Sequence, residues 1–168
     1  MPVELAPQAP FVGPCLIAIV LTAAASDIQR RRIPNWLTFG AWLLACAANI
    51  YVHGFGTGIV AWTLGWLTGL ALFLPFYMLR GMAAGDVKLM AAVGAWLGAG
   101  MALRIALATF VLGGLWGLAV AIRSGQGAEL FHNVIRLGRT GNRATSVGTL
   151  PYGVAIAAGT VVTLFVST

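Results

Sequence analysis

The chain contains only two aspartates, Asp27 and Asp86, and each stands at the edge of a long apolar run. Two carboxylates held at one depth of a helical bundle can share a proton, because like charges about 3 Å apart cannot both ionise. One can then take a proton from an attacking water while its protonated partner stabilises the oxyanion at a peptide carbonyl. Such a pair needs neither metal nor cofactor, and none is expected. The other acids are Glu4, near the N-terminus, and Glu129, in a polar stretch. His53 and His132 share no depth with a Ser, Cys or Asp that would make a nucleophile and base. Cys15 and Cys46 lie in apolar runs, where they read as small core hydrophobes, and without a CxxC pair they form no zinc ribbon.

Each aspartate also has a purely structural reading. Asp86 follows Gly85 at an expected helix start, where aspartate is a good N-cap. Asp27 is spaced to pair with Arg30 or Arg31. Ionisable groups at membrane depth mark functional sites by default, and the same two carboxylates would serve a proton- or ion-coupled carrier. Position alone does not choose between hydrolysis and transport.

The elements that must position the pair follow from composition. Hydrophobic residues make up 60% of the 168, charged residues 8%, and mean hydropathy is +0.91. An ordinary globular chain carries roughly 25% charged residues, so a soluble globule is excluded and an all-α membrane protein is expected. Six segments approach the ~20 apolar residues of a spanning helix: 11–28, 36–52, 57–79, 87–103, 105–122 and 149–166. Their continuous apolar character argues against a β-barrel. With six crossings, nine of the ten basic residues fall on one side, leaving Arg104 on the other. The positive side is cytoplasmic, which puts both termini on the outer side of a six-helix bundle forming a single domain, 1–168. The net charge of +6 then reports topology and contact with the inner leaflet, not nucleic-acid binding. The first segment reads as a retained helix, because its basic triplet follows the apolar run rather than preceding it.

Finer features complete this frame. Pro75 should kink the third helix near its end. Gly65-xxx-Gly69, Gly94-xxx-Gly98 and Gly113-xxx-Gly117 offer small-residue faces for close packing in lipid. In the polar stretch 124–148, Leu130, Phe131, Val134 and Ile135 form an apolar stripe, which predicts a short interfacial helix.

Local sequence goes further. The first aspartate sits in Ser26-Asp27-Ile28-Gln29-Arg30-Arg31-Arg32-Ile33-Pro34-Asn35. The second sits in Gly81-Met82-Ala83-Ala84-Gly85-Asp86-Val87-Lys88-Leu89, and Leu150-Pro151-Tyr152-Gly153-Val154-Ala155-Ile156 comes near the end. Together these resemble the type IV prepilin leader peptidases, membrane aspartic proteases of the GxGD class, in their short tight-adherence (Flp pilus) form. The resemblance implies a six-helix endopeptidase of the bacterial cytoplasmic (inner) membrane that removes the basic leader from prepilins at the cytoplasmic face. Asp27 and Asp86 correspond to the catalytic aspartates. Prepilin and the lipid bilayer are the implied partners, and the oligomeric state is left open. Bifunctional members also carry N-methyltransferase activity and an aqueous domain with a cysteine tetrad, so here peptidase activity alone is expected.

The neighbouring positions have assignable roles. Ala83 stands where the first glycine of GxGD belongs; alanine keeps the position small but is strained at positive φ, and it is the one feature that leans toward the alternative of a catalytically silent assembly subunit of a pilus or secretion system. Gly85 allows close backbone approach. Pro34 ends the basic turn, and Asn35 is expected to cap the second helix. Lys88, two residues from Asp86, points away from it on a regular helix and suits snorkelling to the interface or tuning of the pair. Tyr152, after Pro151, reads as a hydrogen-bonding group in the site or as an interface aromatic.

Overall fold

A computed structural model describes residues 10–79, 81–123 and 152–167 of the chain. Among them the secondary structure is helical: α1 (Val12–Arg30), α2 (Asn35–His53), α3 (Phe55–Met78), α4 (Ala84–Arg123) and α5 (Tyr152–Ser167). In hydrocarbon a segment must satisfy its own backbone, which leaves helices as the outcome for continuous apolar runs. Four of these, α1 to α4, are long and apolar enough to cross a membrane, and α5 is a shorter apolar helix. Large side chains such as Leu64, Leu107, Trp116 and Phe165 point outward, as a lipid-facing surface requires.

The α1–α2 connection is held by backbone geometry. Arg31 adopts the left-handed conformation (φ 52°, ψ 30°), and its N–H donates to the Asp27 carbonyl at 2.9 Å. A non-glycine residue there costs about 1 kcal/mol. Ser26 Oγ donates to the Arg32 carbonyl at 2.9 Å and fastens the turn. Pro34, extended at φ −64° and ψ 135°, then starts α2 as its N-cap. Asn35 does not cap the helix as its position suggested: it is the first helical residue, and no side chain caps the start. Pro75 lies in the last turn of α3, and the Leu79 N–H donates to its carbonyl just beyond the helix end.

The expected fourth and fifth segments, 87–103 and 105–122, fall in one 40-residue run interrupted at Gly98 (φ 83°, ψ 172°). The described residues therefore form five helical runs where six separate ones were expected. On a straight helix Gly94 and Ala102 would be about 12 Å apart along the axis. A Cβ built on Gly94 would instead sit 3.3 Å from that of Ala102, so the chain folds back at Gly98. Only glycine takes this φ without strain. Arg104, assigned to an outer connection, is an exposed residue of the second limb, beside the Met101 sulfur at 3.9 Å.

Small residues set the α3–α4 crossing. A side chain on Gly65 or Gly94 would run into the other's carbonyl, and one on Gly69 would strike the carbonyl of Met90. Close backbone approach of this kind supplies packing where no hydrophobic drive exists. Side-chain donors lock the same layer: Asn49 Nδ2 to the carbonyls of Ala45 (2.8 Å) and Ala95 (3.0 Å), and Trp96 Nε1 to that of Ala41 (2.9 Å). Gly113 packs on Tyr152 and Ala155, so α5 rests on the second limb of α4. Buried Leu16, Val20, Leu89, Met90, Ile105 and Ile156 fill the centre. Cys15 is exposed and Cys46 half-buried, so Cys15 is not the core residue its apolar surroundings suggested. The expected interfacial helix over 130–135 lies outside the described residues.

Two substitutions separate close approach from glycine as such. Gly65→Val drives a side chain into backbone and should cost more than about 3 kcal/mol, the upper range for overpacking. Gly40→Ala, with nothing within 4 Å of the new Cβ, should be neutral or stabilise by up to about 1 kcal/mol. Thermal unfolding of both variants in detergent checks this; equal losses would contradict the packing assigned to α3 and α4.

Candidate active site

Asp27 lies in the last turn of α1 and Asp86 in the first turn of α4, at 8% and 4% exposure. Burying a carboxylate in an apolar bundle is costly unless hydrogen bonds compensate, and each one finds a backbone donor.

Asp86 is the third residue of α4, which begins at Ala84. Its Oδ2 accepts from the Ala83 N–H at 3.1 Å, while its own N–H donates to the Ala83 carbonyl at 3.1 Å. This is the reach-back half of a capping box, in which the third helical residue satisfies the N-cap N–H. Asp86 is thus not itself the N-cap, as its place after Gly85 suggested. Among the described residues Arg31 is the one non-glycine with positive φ, so Ala83 is accommodated without backbone strain in the first-glycine position of GxGD.

Asp27 is held from the other end of the chain. Its Oδ2 accepts from the N–H of Gly153 at 3.0 Å. Gly153 is the second residue of α5, where backbone N–H groups have no partner within the helix and the helix end carries partial positive charge. There is no room for a side chain: a Cβ on Gly153 would lie 2.9 Å from Asp27 Oδ2 and 3.1 Å from its Cβ. The ends of α1, α4 and α5 converge here. Asp27 and Asp86 interact electrostatically, Asp86 does so with Tyr152, and Asp27 with Arg31. Tyr152 is half-buried, its ring edge against Gly113.

The remaining predicted positions divide. Gly85 faces the buried side chain of Ile33, whose Cβ would be 3.2 Å from a Cβ at Gly85, so its smallness admits the α1–α2 connection, with Pro34, against the start of α4. Lys88 is exposed and turned away from Asp86; its Nζ donates to Asn35 Oδ1 at 2.9 Å, tying the starts of α2 and α4 together. Pro151 and His132 lie outside the described residues. His53 closes α2 about 27 Å along the helix from Asn35, far from the carboxylates. Among the described residues no three His, Cys, Asp or Glu side chains cluster as metal ligands would.

Sequence reasoning did not single out Gly153 or Ile33, whereas Arg31 was one of the two arginines expected to pair with Asp27 and does interact with it. A signal existed for Gly153: a glycine near the start of an apolar helix, directly after Pro-Tyr, gives up helix stability unless something must approach closely.

The arrangement places two buried carboxylates within electrostatic reach of each other, each bonded to one backbone amide, Ala83 or Gly153. Residues 15–118 match the sequence model of the type IV leader peptidase family, a stretch that includes both aspartates. The chain is 36% identical over 101 residues to a prepilin leader peptidase/N-methyltransferase of Klebsiella pneumoniae, covering 56% of this chain and 44% of that protein. It is 28% identical over 158 residues to the protein of that name from Burkholderia pseudomallei (strain 1026b), covering 91% and 45%. A third, from Dichelobacter nodosus, is 28% identical over 106 residues, 60% of this chain and 37% of that protein. The chain therefore spans less than half the length of these curated relatives. No solved structure matches it. With more than half of its residues, both buried aspartates among them, matched by one family model, the chain belongs to the type IV leader peptidase family.

Proposed function

We propose that the chain is a membrane aspartic endopeptidase that removes the leader peptide from prepilins, with Asp27 and Asp86 as its catalytic pair. The observation that carries this is the convergence of the two carboxylates. They stand 59 residues apart within the matched segment, are both buried, and are each oriented by one backbone amide. Water held between them is the nucleophile. One carboxylate, ionised, takes its proton as the oxygen bonds to the scissile carbonyl carbon; the other, protonated, donates to the developing oxyanion. Collapse of the tetrahedral intermediate breaks the C–N bond, and the proton just taken passes to the leaving amine. Tyr152, which interacts electrostatically with Asp86, is assigned to position the water or the substrate carbonyl through its hydroxyl.

The finer reading follows the same residues. Arg30, Arg31, Arg32 and Lys88 gather at the carboxylate end of the bundle. The positive-inside rule makes that end cytoplasmic, where a basic leader would be presented by a substrate that is itself a membrane helix. Counting the two limbs of α4 as separate crossings gives six spans with both termini outside. Flp-type prepilins are the substrate class, and peptidase activity without N-methylation is the reading for these residues. The family match gives a carrier role for the carboxylates no support.

Leader cleavage of a co-expressed Flp-type prepilin tests this. Asp27→Asn and Asp86→Asn should each cut cleavage by about 10²–10⁴-fold, the usual contribution of a positioned acid or base, while inserting normally. Variants that both cut like the wild type would overturn the pair. Gly153→Ala, whose methyl meets the Asp27 carboxylate, should lose about 10²-fold in rate, the cost of an ångström-scale misplacement, together with about 1–3 kcal/mol of stability from overpacking. Ala83→Gly should leave cleavage at the wild-type level, since no strain is there to relieve.

A further inference from the structure

A cavity of about 530 Å³ lies among α2, α3 and α4. It opens on the face of α4 opposite the carboxylates. At 3.6 residues per turn, its α4 residues Lys88, Ala91 and Ala92 are displaced by roughly 140–240° from Asp86. The small side chains of Ala91 and Ala92 form its floor, and Phe39 and Trp42 of α2 with Trp66 and Leu70 of α3 form its apolar walls. One end is polar. Asn35 and Lys88 stand there, both exposed, about 10 Å along α2 from Trp42.

The chemistry of this groove is that of an amphiphile with an anionic head. An ammonium has three donors, and Lys88 gives one to Asn35 Oδ1 at 2.9 Å, which holds the cation at the mouth. The acids among the described residues are Asp27 and Asp86, both buried on the other side of α4. The volume is within the ~300–1,000 Å³ of small-molecule sites, which are lined mainly by apolar and aromatic groups. A substrate peptide seated here would have its backbone on the wrong face of α4 to reach Asp86. Phe39, at 58% exposure, lines the open side of the groove, where the surroundings of a spanning helix are acyl chains.

We infer that this groove binds one anionic phospholipid of the surrounding bilayer, with an acyl chain along Phe39, Trp42, Trp66 and Leu70 and its phosphate on Lys88. The inference is independent of the peptidase reading and its test does not use cleavage.

Native mass spectrometry of the full chain in detergent, with phosphatidylglycerol and phosphatidylcholine of equal chain length, reads it directly. The wild type should retain one phosphatidylglycerol over phosphatidylcholine by about fivefold, the worth of one interfacial cation. Lys88→Gln should bring the ratio to unity, and Lys88→Arg and Asn35→Ala should keep it, since both retain the charge. Ala91→Leu, which fills the floor, should lower retention of both lipids. A double Arg30→Gln/Arg32→Gln variant should keep the preference, because those arginines do not line the groove. A ratio that survives Lys88→Gln, or collapses only in the arginine double variant, would overturn the site in favour of diffuse charge attraction. Retention unaffected by Ala91→Leu would overturn the assigned groove.

Discussion

The bond from the Gly153 amide to Asp27 is the contact on which the geometry of the site depends. It joins residues 126 positions apart in sequence and brings the start of α5 onto the end of α1. Because Asp27 is buried, the carboxylate requires a partner in a low-dielectric setting, where unpaired polar groups are expensive. The first turn of a helix is one of the few places where a backbone N–H is available without giving up another bond. The absence of a Cβ at Gly153 lets the helix end come close enough to supply it. Asp86 meets the same requirement locally, through Ala83, so one carboxylate is fixed by chain neighbours and the other by tertiary packing.

That difference propagates through the bundle. α5 can reach Asp27 only if α4 leaves room for it, and α4 does so by folding back at Gly98 and carrying Gly113 against Tyr152. The first limb of α4 is in turn drawn against α3 by Gly65, Gly69 and Gly94. In lipid, small residues serve association because close contact replaces the missing hydrophobic term. The glycines and the aspartates are therefore parts of one constraint: backbones must pass close enough for amides to reach acids.

The parts of this legible in the sequence are those written as long runs or rare residues. The expected segments 11–28, 36–52 and 57–79 fall within two residues of α1, α2 and α3 at every boundary, because an apolar run of fixed length has one outcome in hydrocarbon. The two aspartates stood out because acids are scarce in so apolar a chain. The break between the fourth and fifth segments was expected at Arg104 and lies six residues earlier, at Gly98, since an Ala/Gly-rich stretch reads the same wherever within it the chain turns. Asn35 was misread because cap preference is a local statistic, while its oxygen is occupied by a lysine 53 positions away. Gly153 was passed over for a similar reason: what it contacts is set by tertiary structure and not by its neighbours.

The first turn of α4 shows how much one helical repeat can separate. Two residues place Asp86 and Lys88 on opposite sides of the same helix, one buried with the other carboxylate and one exposed at the mouth of an apolar groove. An ammonium on the inner side would neutralise the acid pair by direct contact; on the outer side it is bonded to Asn35 instead. The same bond pins the start of α2 to the start of α4. The α1–α2 connection, with Ile33 against Gly85, is thereby closed over the turn that presents Asp86. The lysine thus bears on the acid through the helix starts that its bond to Asn35 ties together, and not by direct charge contact.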